Sequence, residues 1–214
     1  MMPLIVPAIL TDKFEDFASQ LKRIEPFFSF IQIDIIDGLF LPYESFRQRN
    51  ELNELNSNAK FELHLMVKDP IAEIEKWREV ENVTNVVFHI ESGADPKRCV
   101  DIIKQNGWKT GVAINPETDI KVIEPYVSLV DEILFMTVQP GRQGARFIPE
   151  VLEKIKEFKK THPRALCSAD GGINKDTILA VQQAGAEKLY IGSAITMSKD
   201  VEAAHQELIN EIDD

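Results

Sequence analysis

The stretch Ile31-Gln32-Ile33-Asp34-Ile35-Ile36-Asp37-Gly38 has the alternating pattern of a buried β-strand. Successive residues of a strand point to opposite faces, so residues 31, 33 and 35 share an apolar face that helices should cover. Gln32 and Asp34 share the other face. A carboxylate inside a strand is costly unless it is paired, so Asp34 is either a capping residue or part of a site that uses it. We favour the functional interpretation.

The composition indicates a globular protein with a real core. The chain has 214 residues, 44% of them hydrophobic, which suits a single domain over residues 1–214. A formal net charge of −11 argues against nucleic acid as a partner, although a small phosphorylated ligand needs only local donors. We find no signal peptide and no apolar run approaching about 18 residues, so we expect a cytoplasmic protein without a membrane partner. Cys99 and Cys167 are expected to be buried, reduced thiols.

Strand and helix patterns alternate about eight times along the chain, with short loops between them. The predicted strands cover residues 4–10, 30–36, 60–67, 85–90, 109–114, 132–138, 165–169 and 188–191. This alternation predicts a parallel sheet with crossover helices, and the count and length fit a closed (β/α)8 TIM barrel. An open doubly wound sheet is the alternative, but no Gly-x-Gly-x-x-Gly motif follows the first strand.

Polar residues fall where the predicted strands end. These residues are Asp34, His64, His89, Asn115 and Asp170. In a TIM barrel the carboxyl ends of the strands carry the chemistry. Two carboxylates and a histidine at one rim can bind a divalent cation, and two carboxylates can also move protons on both sides of one carbon. His89 fits a hydrogen-bonded core histidine equally well, and Met66 and Met136 are expected to pack near the mouth.

Glycine-rich turns follow the last three strands. They are Pro140-Gly141-Arg142-Gln143-Gly144, Asp170-Gly171-Gly172 and Gly192-Ser193. Bare backbone N–H groups at the start of a helix bind phosphate, and the turns after strands seven and eight are the common phosphate position of the barrel. The turns therefore predict a phosphorylated ligand.

The motifs, taken in order, closely resemble the ribulose-phosphate 3-epimerase family from the first strand to the last helix. The series is Asp-x-x-Asp-Gly at 34–38, His-Leu-Met-Val at 64–67, Phe-His at 88–89, Pro-Gly-x-x-Gly at 140–144, Phe-Ile-Pro at 147–149, Asp-Gly-Gly at 170–172 and Gly-Ser-Ala at 192–194. The resemblance implies a TIM barrel that epimerises a small phosphorylated ketose at C3. It also implies a self-associating enzyme of carbohydrate metabolism, in the pentose phosphate pathway.

The resemblance assigns roles to particular residues. It implies Asp34 and Asp170 as the catalytic pair, and a divalent metal cation (Zn, Mn, Mg, Fe or Co) held by Gln32, Asp34, His64 and Asp170. The residues expected to contact substrate and phosphate are Ala8, His64, Met66, Met136, Gly141, Arg142, Gln143, Gly144, Asp170, Gly171, Gly172, Gly192 and Ser193.

Several positions depart from the family pattern. Gln32 stands where the family has a metal-binding histidine, Ala8 replaces a serine, Arg142 is a new cation, Ser168 replaces an acidic residue and Ile36 a methionine. These changes fit a divergent epimerase, including one acting on a hexulose 6-phosphate, or a sugar-phosphate-binding paralogue without activity. An aldolase or decarboxylase of the related barrels is a weaker alternative, because the third strand lacks Asp-x-Lys-x-x-Asp.

Overall fold

Eight parallel strands close into a barrel in the computed structural model, which describes residues 2–140 and 144–213. Neighbouring strands pair in chain order, and the first strand pairs with the last to complete the ring. The strands are β1 (Leu4–Ile9), β2 (Phe30–Ile36), β3 (Lys60–Met66), β4 (Val83–His89), β5 (Lys109–Ile114), β6 (Glu132–Met136), β7 (Cys167–Asp170) and β8 (Lys188–Ile191). The predicted TIM barrel is confirmed.

Helices cover the outside of the barrel. They are α1 (Phe14–Ile24), α2 (Glu51–Glu54), α3 (Pro70–Lys76), α4 (Pro96–Gln105), α5 (Val151–Thr161), α6 (Ile178–Ala184), α7 (Ser193–Thr196) and α8 (Val201–Asp213), with two 3-10 turns at Ile120–Val122 and Glu124–Tyr126. The starts of α3 and α4 follow from sequence. Each has proline in its first turn and is capped by an aspartate, Asp69 or Asp95, whose carboxylate accepts a backbone N–H.

Alternation along β2 separates an apolar exterior from a polar interior. Ile31, Ile33 and Ile35 are buried in the core between barrel and helices, as the sequence predicts. Gln32 and Asp34 lie on the inner side of the strand. The register places Asp34 beside His64 of β3, which brings two polar strand ends together at one rim.

A second set of polar residues lies deeper in the barrel. This set, here called the lower layer, consists of Glu62, Glu132, Ser168, Lys188 and Tyr190, all buried. Lys188 Nζ lies 2.8 Å from a carboxylate oxygen of each glutamate. The Tyr190 hydroxyl also lies within hydrogen-bond distance of a carboxylate oxygen of each glutamate. Every member of the lower layer therefore has a partner of complementary charge or hydrogen-bonding type.

Cys99 and Cys167 are buried free thiols, in agreement with the prediction from sequence. Within the described ranges, no helix combines the length and the apolar character that a membrane crossing requires.

Candidate active site

Four buried side chains meet at the carboxyl-terminal rim of the barrel. This rim cluster consists of Gln32 and Asp34 from β2, His64 from β3 and Asp170 from β7. His64 Nδ1 lies 3.0 Å from Asp34 Oδ1 and 3.3 Å from Asp170 Oδ2. The residues that the sequence singles out at three separate strand ends are therefore in direct contact around one imidazole.

The rim cluster opens into a cavity of about 300 Å³ at the barrel mouth. The lining includes Asp34, His64 and Asp170, together with Ala8, Met66, Met136, Gly144, Gly171, Gly172, Gly192 and Ser193. A larger groove of about 810 Å³ lies outside the barrel, next to α3 and α4, but none of the rim cluster lines it. Because a site needs its reactive groups as well as space, the smaller cavity is the candidate active site.

The two carboxylates of the rim cluster favour the protonated form of the imidazole between them. Burial is the largest influence on Asp34 and raises its pKa. The hydrogen bond with His64 lowers the pKa and the charge of Asp170 raises it, and the result is a pKa of about 6. Burial disfavours the imidazolium of His64, but hydrogen bonds to Asp170 and Asp34 outweigh this effect and raise its pKa to about 10. A position that stabilises a proton in this way also suits a bound cation.

Gln32 reaches both carboxylates. Its Nε2 donates to Asp34 Oδ1 at 3.1 Å and to Asp170 Oδ2 at 2.8 Å, whereas its buried Oε1 has no hydrogen-bond partner among the described residues. Rotation of the amide by 180° would exchange the two atoms and turn the oxygen toward the carboxylates.

The rim cluster fits a divalent cation. Asp34, His64 and Asp170 each offer a ligand atom, and these atoms lie within 4.8 Å of one another. With the Gln32 oxygen turned inward, the donors are two carboxylates, one imidazole and one amide, a set that divalent metals bind. The unpartnered amide oxygen is the observation that makes this a fit and not only a cluster of acids.

His89 is buried behind the rim cluster. Its Nε2 lies 3.0 Å from His64 Nε2, and its Nδ1 lies 3.3 Å from a carboxylate oxygen of Glu91. Burial lowers the pKa of His89 despite the contact with Glu91, so the imidazole is predominantly neutral. The two interpretations that the sequence leaves open for His89 combine: it is a hydrogen-bonded core histidine, and its partner belongs to the site.

The turn after β7 has a backbone that only glycine accommodates well. Gly171 and Gly172 have φ values of +115° and +65°. A Cβ on Gly171 would clash with Val138 Cγ2, and one on Gly172 would lie 3.0 Å from the Cβ of Phe147. The Thr137 hydroxyl also donates to the Gly171 carbonyl at 2.6 Å. The turn is therefore held by the loop after β6, and both glycines line the cavity.

The turn after β8 faces the same cavity. Gly192 precedes α7, and among the described residues a Cβ at this position would meet only the Ala8 carbonyl oxygen, at 3.6 Å. Space for an anion therefore lies next to the first N–H groups of α7, which have no partner within the helix. Ser193 adds a hydroxyl at the same place. The third predicted turn is described only from Gly144 onward, because Gly141, Arg142 and Gln143 lie outside the described residues.

Sequence reasoning missed some residues at the site. Among the residues described along the cavity, Arg146 is the one lysine or arginine, and Asn174 adds an amide. Glu91, which contacts His89, was also missed. A signal existed for Arg146, which follows the glycine-rich loop by two positions and precedes Phe147. No local pattern marks Glu91, because its role depends on two histidines from different strands.

The fold and the site together define a class of protein: a TIM barrel with two buried carboxylates and an imidazole at its carboxyl-terminal rim. Solved structures at low sequence identity share the fold. KGPDC from Streptococcus mutans matches with a TM-score of 0.74 at 12% identity and covers 100% of this chain and 98% of its own. A 3-hexulose-6-phosphate synthase from Salmonella typhimurium matches with a TM-score of 0.73 at 15% identity, covering 99% and 98%.

Sequence comparison specifies the family within this class. The sequence model of the ribulose-phosphate 3 epimerase family matches residues 4–196, so the chain belongs to this family of isomerases. The ribulose-phosphate 3-epimerase of Bacillus subtilis is 33% identical over 95% of this chain and 97% of its own length. The ribulose-phosphate 3-epimerase of Aquifex aeolicus is 31% identical over 97% and 96%.

Proposed function

We propose that the protein is a ketose-phosphate 3-epimerase that interconverts D-ribulose 5-phosphate and D-xylulose 5-phosphate. The observation that carries this proposal is the convergence of Asp34 and Asp170 on one buried imidazole, inside the cavity that the turns after β7 and β8 line. The relatives named ribulose-phosphate 3-epimerase support the choice of substrate.

The two aspartates are suited to proton transfer at a single carbon. The C3 hydrogen of a ketose lies next to the carbonyl and is weakly acidic. One carboxylate takes this proton and leaves an enediolate, and the other carboxyl group returns a proton to C3 on the opposite face. The sugar gains and loses one proton, while the two aspartates exchange protonation states.

The rim cluster also provides a place for a divalent cation. Asp34, His64 and Asp170 would hold it, with the Gln32 oxygen as the fourth donor. When bound, such a cation supplies positive charge next to the substrate carbonyl and so favours the enediolate. The carboxylates and the imidazole orient the substrate around this point, because all three side chains are buried and held by one another.

The phosphate is proposed to bind at the turns Gly171–Gly172 and Gly192–Ser193, with Arg146 as the nearby cation. Met66, Met136 and Ala8 then form the apolar wall beside the carbon chain. Phosphate bound far from C3 orients the reacting carbon, so this interaction contributes to turnover as well as to affinity. Family membership alone supports the further proposal of a cytoplasmic, self-associating, single-domain enzyme.

The test is hydrogen exchange at C3. The protein is incubated in deuterium oxide with D-ribulose 5-phosphate, D-ribulose and a hexulose 6-phosphate, with and without Mg²⁺, Mn²⁺ or Zn²⁺. We expect deuterium at C3 and the appearance of D-xylulose 5-phosphate from the first compound only. If D-ribulose 5-phosphate binds but no exchange occurs under any of these conditions, the result would support a non-catalytic binding protein. Exchange with only the hexulose 6-phosphate would identify that compound as the substrate instead.

A further inference from the structure

A line of three side chains runs from the rim cluster to the outer end of β4. His64 Nε2 lies 3.0 Å from His89 Nε2, and His89 Nδ1 lies 3.3 Å from Glu91 Oε2. The other oxygen of Glu91 accepts the backbone N–H of Asn115 at 2.8 Å. Both histidines are fully buried, and their rings are within 17° of parallel. Each contact allows few proton placements.

Proton positions along this line follow from the acceptor at its far end. A carboxylate only accepts hydrogen bonds, so the Nδ1 of His89 must carry a proton. A neutral imidazole has one N–H, which leaves the Nε2 of His89 as an acceptor. The nitrogen that faces it, His64 Nε2, must then be the donor, because two lone pairs cannot share a contact of 3.0 Å.

The placement of the proton on His64 has a consequence for the site. When a cation takes the place of the Nδ1 proton, the ring is neutral and keeps its proton on Nε2, so the lone pair lies on Nδ1, the atom that faces Asp34 and Asp170. If His89 instead carried its proton on Nε2, that nitrogen would donate to His64 Nε2. The His64 proton would then move to Nδ1, and the position between the carboxylates would lose its imidazole ligand. Buried partners of ligating histidines are known to act in this way.

We propose that Glu91 and His89 are positioning residues that fix the tautomer of His64, so that its Nδ1 is presented to a divalent cation between Asp34 and Asp170. The inference rests on the proposed cation site. Phe40 contributes by packing against His89, with ring centroids 5.1 Å apart, which restricts rotation of the imidazole. The contact of Glu91 with the Asn115 N–H fixes the carboxylate in turn.

The direct test is nitrogen-15 NMR of the imidazole rings, in protein without added metal and in protein loaded with Zn²⁺. The chain has only four histidines, so substitution of each one assigns its signals. We expect a protonated Nδ1 and an unprotonated Nε2 for His89 in both samples. In the Zn²⁺ sample we expect His64 to carry its proton on Nε2 and to show a large shift of Nδ1. A proton on His89 Nε2 would overturn the proposal.

The second arm measures Zn²⁺ affinity by calorimetry, independently of turnover. His89→Leu removes the acceptor for His64 Nε2–H and should weaken Zn²⁺ about 10- to 100-fold. His89→Gln offers an amide oxygen to His64 and an amide N–H to Glu91, so it should recover most of the affinity. His162→Gln, which changes a half-buried histidine just after α5 and outside the cavity lining, is the matched control and should have no effect.

The outcomes separate this inference from the proposed function. Unchanged Zn²⁺ affinity in His89→Leu would overturn the positioning role even if the enzyme is an epimerase. A wild type that binds none of the divalent ions would contradict the proposed cation site, whereas the tautomer of His89 would still test the order of protons along the line. If His89→Leu fails to fold, the comparison of wild type with His89→Gln and the NMR measurement decide.

Discussion

The interior of the barrel contains two polar layers, the lower layer and the rim cluster, which differ in how completely their polar atoms are paired. The lower layer, Glu62, Glu132, Ser168, Lys188 and Tyr190, pairs its polar groups with one another: two glutamates surround one ammonium and one hydroxyl. The rim cluster, whose His64 and Asp170 lie two residues further along β3 and β7 than Glu62 and Ser168, leaves the Gln32 oxygen without a partner among the described residues and faces a cavity. A buried polar network that is complete stabilises a structure, and one that is incomplete has room for a ligand.

Strand geometry explains why the two layers lie so close together. Residues two apart on a strand point to the same face, so Glu62 and His64 on β3, or Ser168 and Asp170 on β7, face the interior at successive heights. The chain therefore uses one repeated pattern for two purposes. Substitutions in the rim cluster should affect turnover, and substitutions in the lower layer should affect stability.

The largest expected effect is the loss of turnover in Asp34→Asn and in Asp170→Asn. Each variant removes one of the two groups proposed to carry a proton at C3, and we expect kcat/KM to fall by about 10³-fold or more. The melting temperature should not fall, because the change removes a negative charge from a buried pair. Near-normal turnover in either variant would contradict the two-base proposal.

Lys188→Met should have the opposite effect, a loss of stability with little change in turnover. The substitution leaves Glu62 and Glu132 buried without their shared cation, which costs about 3–5 kcal/mol of unfolding free energy. Urea unfolding measures the loss, and kcat of the folded fraction should stay near the wild-type value. A triple variant that also carries Glu62→Gln and Glu132→Gln is the control and should regain stability. A large loss of kcat in Lys188→Met would show that the two layers are not independent.

Most of the barrel was predictable from sequence because its signals are local. The alternation in residues 31–38, each short loop and each polar strand end can be recognised within a stretch of a few residues. Asp34, His64 and Asp170 could be predicted as neighbours because parallel strands end at the same rim. Residues 141–143, which the sequence analysis assigns to phosphate binding, lie outside the described residues.

The lower layer and the line through His89 could not be predicted in the same way. Lys188 contacts a carboxylate 126 residues away in Glu62 and another 56 residues away in Glu132. Within its own strand, a lysine next to Leu189 looks like a surface residue at a strand start. Only closure of the barrel makes it a buried cation. The relation of His89 to Glu91 likewise has meaning only once β3 places His64 beside β4.

A pH dependence should distinguish the lower layer from the rim. Burial is the main cause that raises the pKa of Glu62 to about 7, with Glu132 adding to it and Lys188 opposing it. Because the folded state holds this proton more tightly than the unfolded chain, the stability that Glu62 contributes is greatest below its ordinary pKa and decreases as pH rises through about 7. The urea midpoint of the wild type should therefore fall between pH 5 and pH 8 relative to that of Glu62→Gln. Parallel curves would show that Glu62 is ionised throughout.

Gly192→Val tests the phosphate turn at the rim. In the described part of the chain a Cβ at this position meets only the Ala8 carbonyl oxygen, so the variant should fold with little change in melting temperature. The side chain would fill space next to the first N–H groups of α7. Loss of one or two charge-assisted hydrogen bonds should weaken D-ribulose 5-phosphate about 10- to 100-fold. Gly192→Ala should give a smaller effect. If unphosphorylated D-ribulose binds the wild type as well as its phosphate does, the assignment of this turn is wrong.

The smallest predicted effect concerns Gln32, at the boundary between the two layers. Its amide contacts both rim carboxylates, so it satisfies part of the site without a charge. An amide oxygen is a hard, neutral donor and a poorer Zn²⁺ ligand than imidazole, so the cluster should favour Mg²⁺ or Mn²⁺ relative to a site with two histidines. Gln32→His should bind Zn²⁺ more tightly, on the order of tenfold, in a calorimetric titration of both proteins.

The control for Gln32→His is Gln32→Leu, which has a similar size and no donor atom. If Gln32 takes part in binding, the leucine variant should bind both Mg²⁺ and Zn²⁺ more weakly than the wild type. Equal affinity in the wild type and Gln32→Leu would show that the amide only fills space between the carboxylates. Equal or tighter Zn²⁺ binding by the wild type than by Gln32→His would show that Gln32 is not the weak ligand. In that case the replacement of the family's histidine carries no information about activity, and the difference between the two layers rests on the cavity alone.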